Sequence, residues 1–327
     1  MNEQDKIFKK TALDIGTSLL IFIVLYQTLY ASCYMYFRII LYHIIPSETI
    51  ANIITEILSG VLYLSVFLIP AAVFSLLKRR HGKKQLMTPK PKCSPKTAVL
   101  IVLASIGIIT AAAYVNTIIA SFFNVPGNII PLEKQITLVD FLLNTFTLAI
   151  VPAFCEEFLF RKTILSALSP YGEVFAIISS SILFGLMHQN VLQIFYATMA
   201  GIVIGYAYSR TRSFLCVFLI HFSNNFVSVI KQLIGANFTE KWANIIGTTV
   251  TFTVLALGLI SVLTLIIKEL YKKSVYTEGA FERIDIPSPN YVKYKLASNP
   301  TKSFFLSPTV LIFTIICLGL CFYMIFP

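Results

Sequence analysis

The stretch Ala149-Ile150-Val151-Pro152-Ala153-Phe154-Cys155-Glu156-Glu157-Phe158-Leu159-Phe160-Arg161 sets two adjacent carboxylates inside an apolar run long enough to lie in lipid. A charge at the bilayer centre costs roughly 2.5–3.5 kcal/mol on insertion scales. A second carboxylate beside it adds like-charge repulsion. Making a membrane helix does not require such a pair, and an ionisable residue at that depth marks a functional site by default. The spacing also says something about roles. Glu157 and Arg161 are four apart, so they share a helix face in the acid-before-base order that pairs well. Glu156 points about 100° away around the helix, so one carboxylate can be neutralised while its neighbour faces a cavity. Pro152 cannot donate to the carbonyl of Leu148, which predicts a kink or local unwinding just before the pair.

The rest of the chain agrees that this run is in a membrane. Of 327 residues, 57% are hydrophobic and 13% charged, well below the roughly 25% charge of soluble domains. Mean hydropathy is +0.79. A helix needs about 20 apolar residues to cross the hydrocarbon core. On that rule the candidate spans are 13–41, 52–77, 97–123, 138–166, 174–191, 192–209, 213–235, 243–267 and 306–326. The predicted fold is therefore all-α, a polytopic membrane helical bundle of about 8–9 transmembrane helices. The apolar run from Leu13 is too long for a signal-peptide core and reads as the first span. The chain divides into N-terminal spans with a basic loop (1–137), a core (138–235), a further span (236–273), a linker rich in Pro and Tyr (274–305) and a C-terminal span (306–327).

The net charge of +11 would point to nucleic acid in a soluble protein. Here the cations cluster between spans. With the N-terminus in the cytoplasm, inner segments hold 22 Lys and Arg, eight of them in the 78–96 loop and seven in 268–305. The outer segments hold two, Lys134 and Lys241, while Arg38 and Lys231 lie within spans. That asymmetry follows the positive-inside rule. It makes the basic loops topology signals and headgroup contacts, with no nucleic-acid partner expected. Five of the six cysteines fall in apolar spans and none has zinc-ligand spacing, so neither a disulfide framework nor a structural zinc site is expected.

Further polar groups lie in the later spans. His188 closes Phe184-Gly185-Leu186-Met187-His188, and His221 precedes Asn224 and Asn225. His221 and Asn225 are four apart and share a face. At about 1.5 Å per residue, Glu156, His188 and His221 can meet near mid-membrane. Gly201 and Gly205 form a small-xxx-small pair suited to close helix packing.

A carboxylate and imidazoles around a wet pocket suit general-base hydrolysis. Glu takes a proton from water, one His orients that water, and a second His with an Asn amide stabilises the oxyanion. The alternative is a divalent metal such as zinc, held by Glu156, His188 and His221 and activating the water itself. HExxH is absent, and the favoured reading needs no cofactor.

Glu-Glu-x-x-x-Arg (156–161), Phe-x-x-x-His (184–188) and His-x-x-x-Asn (221–225), in that order on separate apolar helices, resemble the three motifs of the CPBP family. That family comprises CaaX-processing endopeptidases and bacterial bacteriocin-processing and immunity proteins. The resemblance covers roughly residues 138–235. It implies an intramembrane endopeptidase that cleaves a membrane-associated protein or peptide. In this scheme Glu156 is the general base, His188 holds the water, and His221 and Asn225 form the oxyanion site. Glu157 and Arg161 support it. A bacterial cell membrane is the expected setting. Two alternatives stand beside this reading: a non-catalytic immunity or scaffold protein of the same fold, and a proton-coupled transporter. The transporter is disfavoured because the chain shows no internal repeat.

Overall fold

The computed structural model describes residues 3–80, 93–122, 135–278, 296 and 299–325. Every element among them is helical. In chain order they are α1 (Glu3–Ile44), α2 (Glu48–Arg80), α3 (Pro95–Phe122), α4 (Leu138–Tyr171), α5 (Glu173–Leu186), α6 (Val191–Thr211), α7 (Phe214–Asn237), α8 (Glu240–Glu278), α9 (Pro300–Phe305) and α10 (Pro308–Ile325). Six of these, α1, α2, α3, α4, α7 and α8, are long and apolar enough to cross a membrane. Helices α5, α6 and α10 fall on three further expected spans. Most of the 78–96 basic loop and of the 274–305 linker lies outside the described residues.

Helix α5 is shorter than its expected span of 174–191. It has 14 residues, about 21 Å at ~1.5 Å per residue, against a hydrocarbon core of about 30 Å. Its end is set by a tight turn in which His188 N–H donates to the Gly185 carbonyl at 3.1 Å and Gln189 adopts φ of +52°. That left-handed conformation is uncommon outside glycine. His188 therefore sits beyond the helix rather than within it, which corrects its expected place on an apolar span.

Helix α4 is the scaffold of the site. A capping box opens it: Thr137 Oγ1 accepts from Asp140 N–H, and Asp140 Oδ2 accepts from Thr137 N–H at 3.0 Å. The helix then widens twice into π-helical turns, at Thr145–Ile150 and Phe158–Leu165, on either side of the α-helical Val151–Glu157. A third π-helical turn, Tyr26–Cys33, interrupts α1. Hydroxyls follow the wider winding: Thr163 and Ser166 each donate to the carbonyl five residues back. Turns of this kind gather at functional sites.

Around α4 the bundle closes tightly. Helix α3 crosses α8 so closely that a Cβ on Gly107 would lie 2.6 Å from the Gly258 Cα. A Cβ on Gly201 of α6 would meet the Ser181 Cβ of α5 at 3.0 Å, so this glycine of the small-xxx-small pair lets α5 and α6 approach. Helix α10 lies along α1, where Thr309 Oγ1 donates to the Leu13 carbonyl at 3.0 Å. The apolar core draws on α1 to α7, α9 and α10, with Phe8, Phe22, Phe67 and Phe160 almost wholly buried.

Candidate active site

The two glutamates divide as their helix geometry requires. Glu157 and Arg161 are both wholly buried, with Arg161 Nε 3.1 Å from Glu157 Oε2. The contact is an ion pair rather than an aligned hydrogen bond. The guanidinium lies 4.7 Å from the centre of the Phe184 ring, a cation–π contact that helps to offset its desolvation. Phe184 thus explains the aromatic at the start of the second motif: it carries Arg161 and also packs edge-on against both His188 and His221.

Glu156 is only 4% exposed. It lines a cavity of about 540 Å³ that His188, His221 and Asn225 line too. Its two oxygens differ. Oε1 accepts from the Tyr63 hydroxyl at 2.6 Å. Oε2 accepts no hydrogen bond from the described residues and lies 3.9 Å from His221 Nε2.

His221 holds a position between the carboxylates that its sequence spacing did not reveal. Its Nδ1 is 2.7 Å from Glu157 Oε1. A carboxylate oxygen only accepts, so Nδ1 carries the proton, and Nε2 is the atom turned toward Glu156. His188 Nδ1 lies 2.9 Å from the Phe184 carbonyl, which likewise fixes its proton on Nδ1 and leaves Nε2 as the acceptor.

Asn225 was expected to act with His221 at an oxyanion. Its Nδ2 donates to the Leu148 carbonyl at 3.1 Å, the carbonyl four residues before Pro152. The amide is fixed from its other side by Asn224, whose Nδ2 donates to Asn225 Oδ1 at 3.2 Å. Asn224 Oδ1 in turn accepts from the Tyr196 hydroxyl at 2.7 Å. With one N–H committed to Leu148, the second N–H of Asn225 remains for a ligand.

The structure therefore brings Glu156, Glu157, Arg161, His188, His221 and Asn225 to one place. It adds Tyr63, Tyr26 and Tyr30 from the first two helices, and Tyr196 from α6, as cavity lining. Sequence reasoning missed these. Tyr26, Tyr30 and Tyr34 form a stack at spacing four, with ring centres 5.4 and 5.8 Å apart, and Tyr63 meets Tyr30 edge-on at 5.2 Å. That spacing was the available signal.

The metal alternative is fitted poorly by this geometry. Among the described residues no three His, Cys, Asp or Glu side chains form a group that could hold a metal ion. In both histidines Nδ1 is taken, by Glu157 in His221 and by the Phe184 carbonyl in His188, and Nε2 is the atom left free.

Fold and site together define a multi-pass integral membrane protein with an acid–imidazole–amide cavity inside its helical bundle. Residues 138–227 match the family model described as Rce1-like, type II CAAX prenyl endopeptidase Rce1-like. The matched segment holds all three motifs, and the match supports the CPBP resemblance read from them. No curated protein and no solved structure matches the chain.

Proposed function

We propose that this protein is an intramembrane endopeptidase in which Glu156 activates water. The observation that carries the reading is the asymmetry of the pair: Glu157 is held by Arg161 and His221, while Glu156 keeps one oxygen unpartnered at the cavity wall. The Rce1-like match on the same segment supports a peptidase of CAAX type.

In this mechanism a water is held between Glu156 Oε2 and His188 Nε2. Glu156 takes its proton, and the hydroxide adds to the carbonyl carbon of the scissile peptide. The oxyanion that forms accepts from the second N–H of Asn225. It also meets His221, which can donate from Nε2 only as an imidazolium, because its Nδ1 proton is committed to Glu157. Glu156, now the carboxylic acid, delivers its proton to the leaving amine as the C–N bond breaks. Tyr63 holds Oε1 and so aims Oε2. The substrate is a membrane-associated protein or peptide, reached within a bundle of eight to nine spans whose N-terminus is cytoplasmic.

N-terminal peptidomics of membranes from wild-type and Glu156→Gln cells tests the reading. A protein fragment present in wild type and missing from the variant is the expected result. Identical fragment profiles, with both proteins present at equal levels, would overturn it.

A further inference from the structure

Helix α7 carries more polar residues on its cavity face than the proposed chemistry uses. His221, Asn225, Ser228 and Gln232 follow one another at steps of four, three and four, which keeps them on one face. All four line the same cavity. His221 and Asn225 belong to the reaction site. Ser228 and Gln232 continue the stripe away from it, Gln232 lying about 10 Å from Asn225 along the helix at ~1.5 Å per residue. Gln193 of α6 lines the cavity as well. Among the described residues, none of the three side chains Ser228, Gln232 and Gln193 donates or accepts a hydrogen bond. Free hydroxyl and amide groups in a lipid-depth helix are costly unless a ligand or a wet cavity takes them up.

The chemistry of the lining narrows the ligand. Among the described residues, Glu156 is the only acidic residue on the cavity wall, and no Lys or Arg lines it. A charged ligand segment would find no counter-ion along the stripe. A glutamine amide offers one acceptor and two donors, which matches the C=O and N–H of a peptide unit. Part of the lining is apolar, with Ile109, Ala197, Ala200 and Ile204, and so accommodates uncharged side chains.

We propose that Ser228 and Gln232, with Gln193 opposite, form a subsite that hydrogen-bonds the main chain of an extended, uncharged peptide segment leading to Glu156. The inference rests on the proposed reading of Glu156 and names the substrate class for that site.

Binding is measured on Glu156→Gln protein in detergent, so that it does not depend on turnover. The probe is a dye-labelled octapeptide of Ala, Val and Ser, followed by fluorescence anisotropy. A second probe is the same peptide with N-methylated backbone amides, and a third carries a central Lys. The unmodified peptide is expected to bind saturably. Ser228→Ala with Gln232→Leu, added to Glu156→Gln, is expected to weaken it about tenfold, the scale of one or two lost hydrogen bonds. The N-methylated and Lys peptides bind the parent more weakly, and the N-methylated one is indifferent to the double substitution. Circular dichroism and a monodisperse elution profile establish that each variant is folded. Absence of saturable binding, or an unchanged affinity in the folded double variant, overturns the subsite. Undiminished peptide cleavage by Glu156→Gln would overturn the role of Glu156 and leave the subsite standing.

Discussion

Glu156 and Glu157 are adjacent in sequence, and a carboxylate-to-neutral change at each has a different consequence. Removing Glu157 leaves Arg161 wholly buried, with Nη1 and Nη2 already lacking an acceptor. Breaking a buried pair in this way costs about 3–5 kcal/mol. Glu157→Ala is therefore expected to lower the thermal unfolding temperature sharply in detergent, read by intrinsic fluorescence. Glu156→Gln keeps a carbonyl for the Tyr63 hydroxyl and leaves Arg161 paired, so its unfolding temperature should stay within a few degrees of wild type while turnover is lost. Equal destabilisation by both would contradict the division of roles. Tyr63→Phe removes the one donor to Glu156 Oε1 among the described residues without changing volume much. It is expected to lower kcat about tenfold, in the range of one hydrogen bond to a charged group, with KM and folding little changed; a pure KM effect would place Tyr63 in substrate binding instead. At this scale the motif residues were legible because ionisable groups in an apolar run stand out. Tyr63 was not, since a tyrosine in a membrane span is ordinarily an interface or packing residue and its partner lies 93 positions away.

At the scale of elements, the π-helical turn before the glutamates is held from outside the helix. Pro152 lacks the N–H that an α-helix would direct to Leu148, and Asn225 of α7 supplies a donor to that carbonyl. The third motif thus braces the first. Asn225→Leu is expected to cost roughly 1–3 kcal/mol by removing a donor to a lipid-depth carbonyl, in addition to its effect on turnover. Pro152→Ala restores a backbone donor there, so it should recover stability in the Asn225→Leu background more than in wild type. A denaturant-based double-mutant cycle measures the coupling, and additive effects would refute the brace. The proline and the α-helical donor it denies to Leu148 were readable from sequence. The π-helical turns at Thr145–Ile150 and Phe158–Leu165 were not, because one extra residue per turn leaves the apolar pattern of a membrane helix almost unchanged. The early end of α5 escaped notice for a related reason: Met187 and His188 continue an apolar run, and only the positive φ at Gln189 stops the helix.

At the scale of the molecule, the cavity takes its walls from well beyond the matched segment 138–227. Tyr26, Tyr30 and Tyr63 come from α1 and α2, and Ile109 from α3. The three motifs announce the site, but the bundle as a whole encloses it. Its placement in the membrane rests on charge. In the proposed orientation the N-terminal residues Lys6, Lys9 and Lys10 lie on the side that collects most of the loop cations, and Lys241 on the side that holds two. Lys and Arg bias the orientation of membrane spans because cytoplasmic loops retain them, and the anionic inner leaflet then holds them. Both Lys6 and Lys241 are exposed, so each reports its own side. In a background with the six cysteines replaced, Lys241→Cys is expected to react with a membrane-impermeant maleimide in intact cells, and Lys6→Cys only after the membrane is opened. The reverse pattern would invert the bundle and turn the α7 stripe, which runs from His221 toward the Lys241 end, to face the cytoplasm.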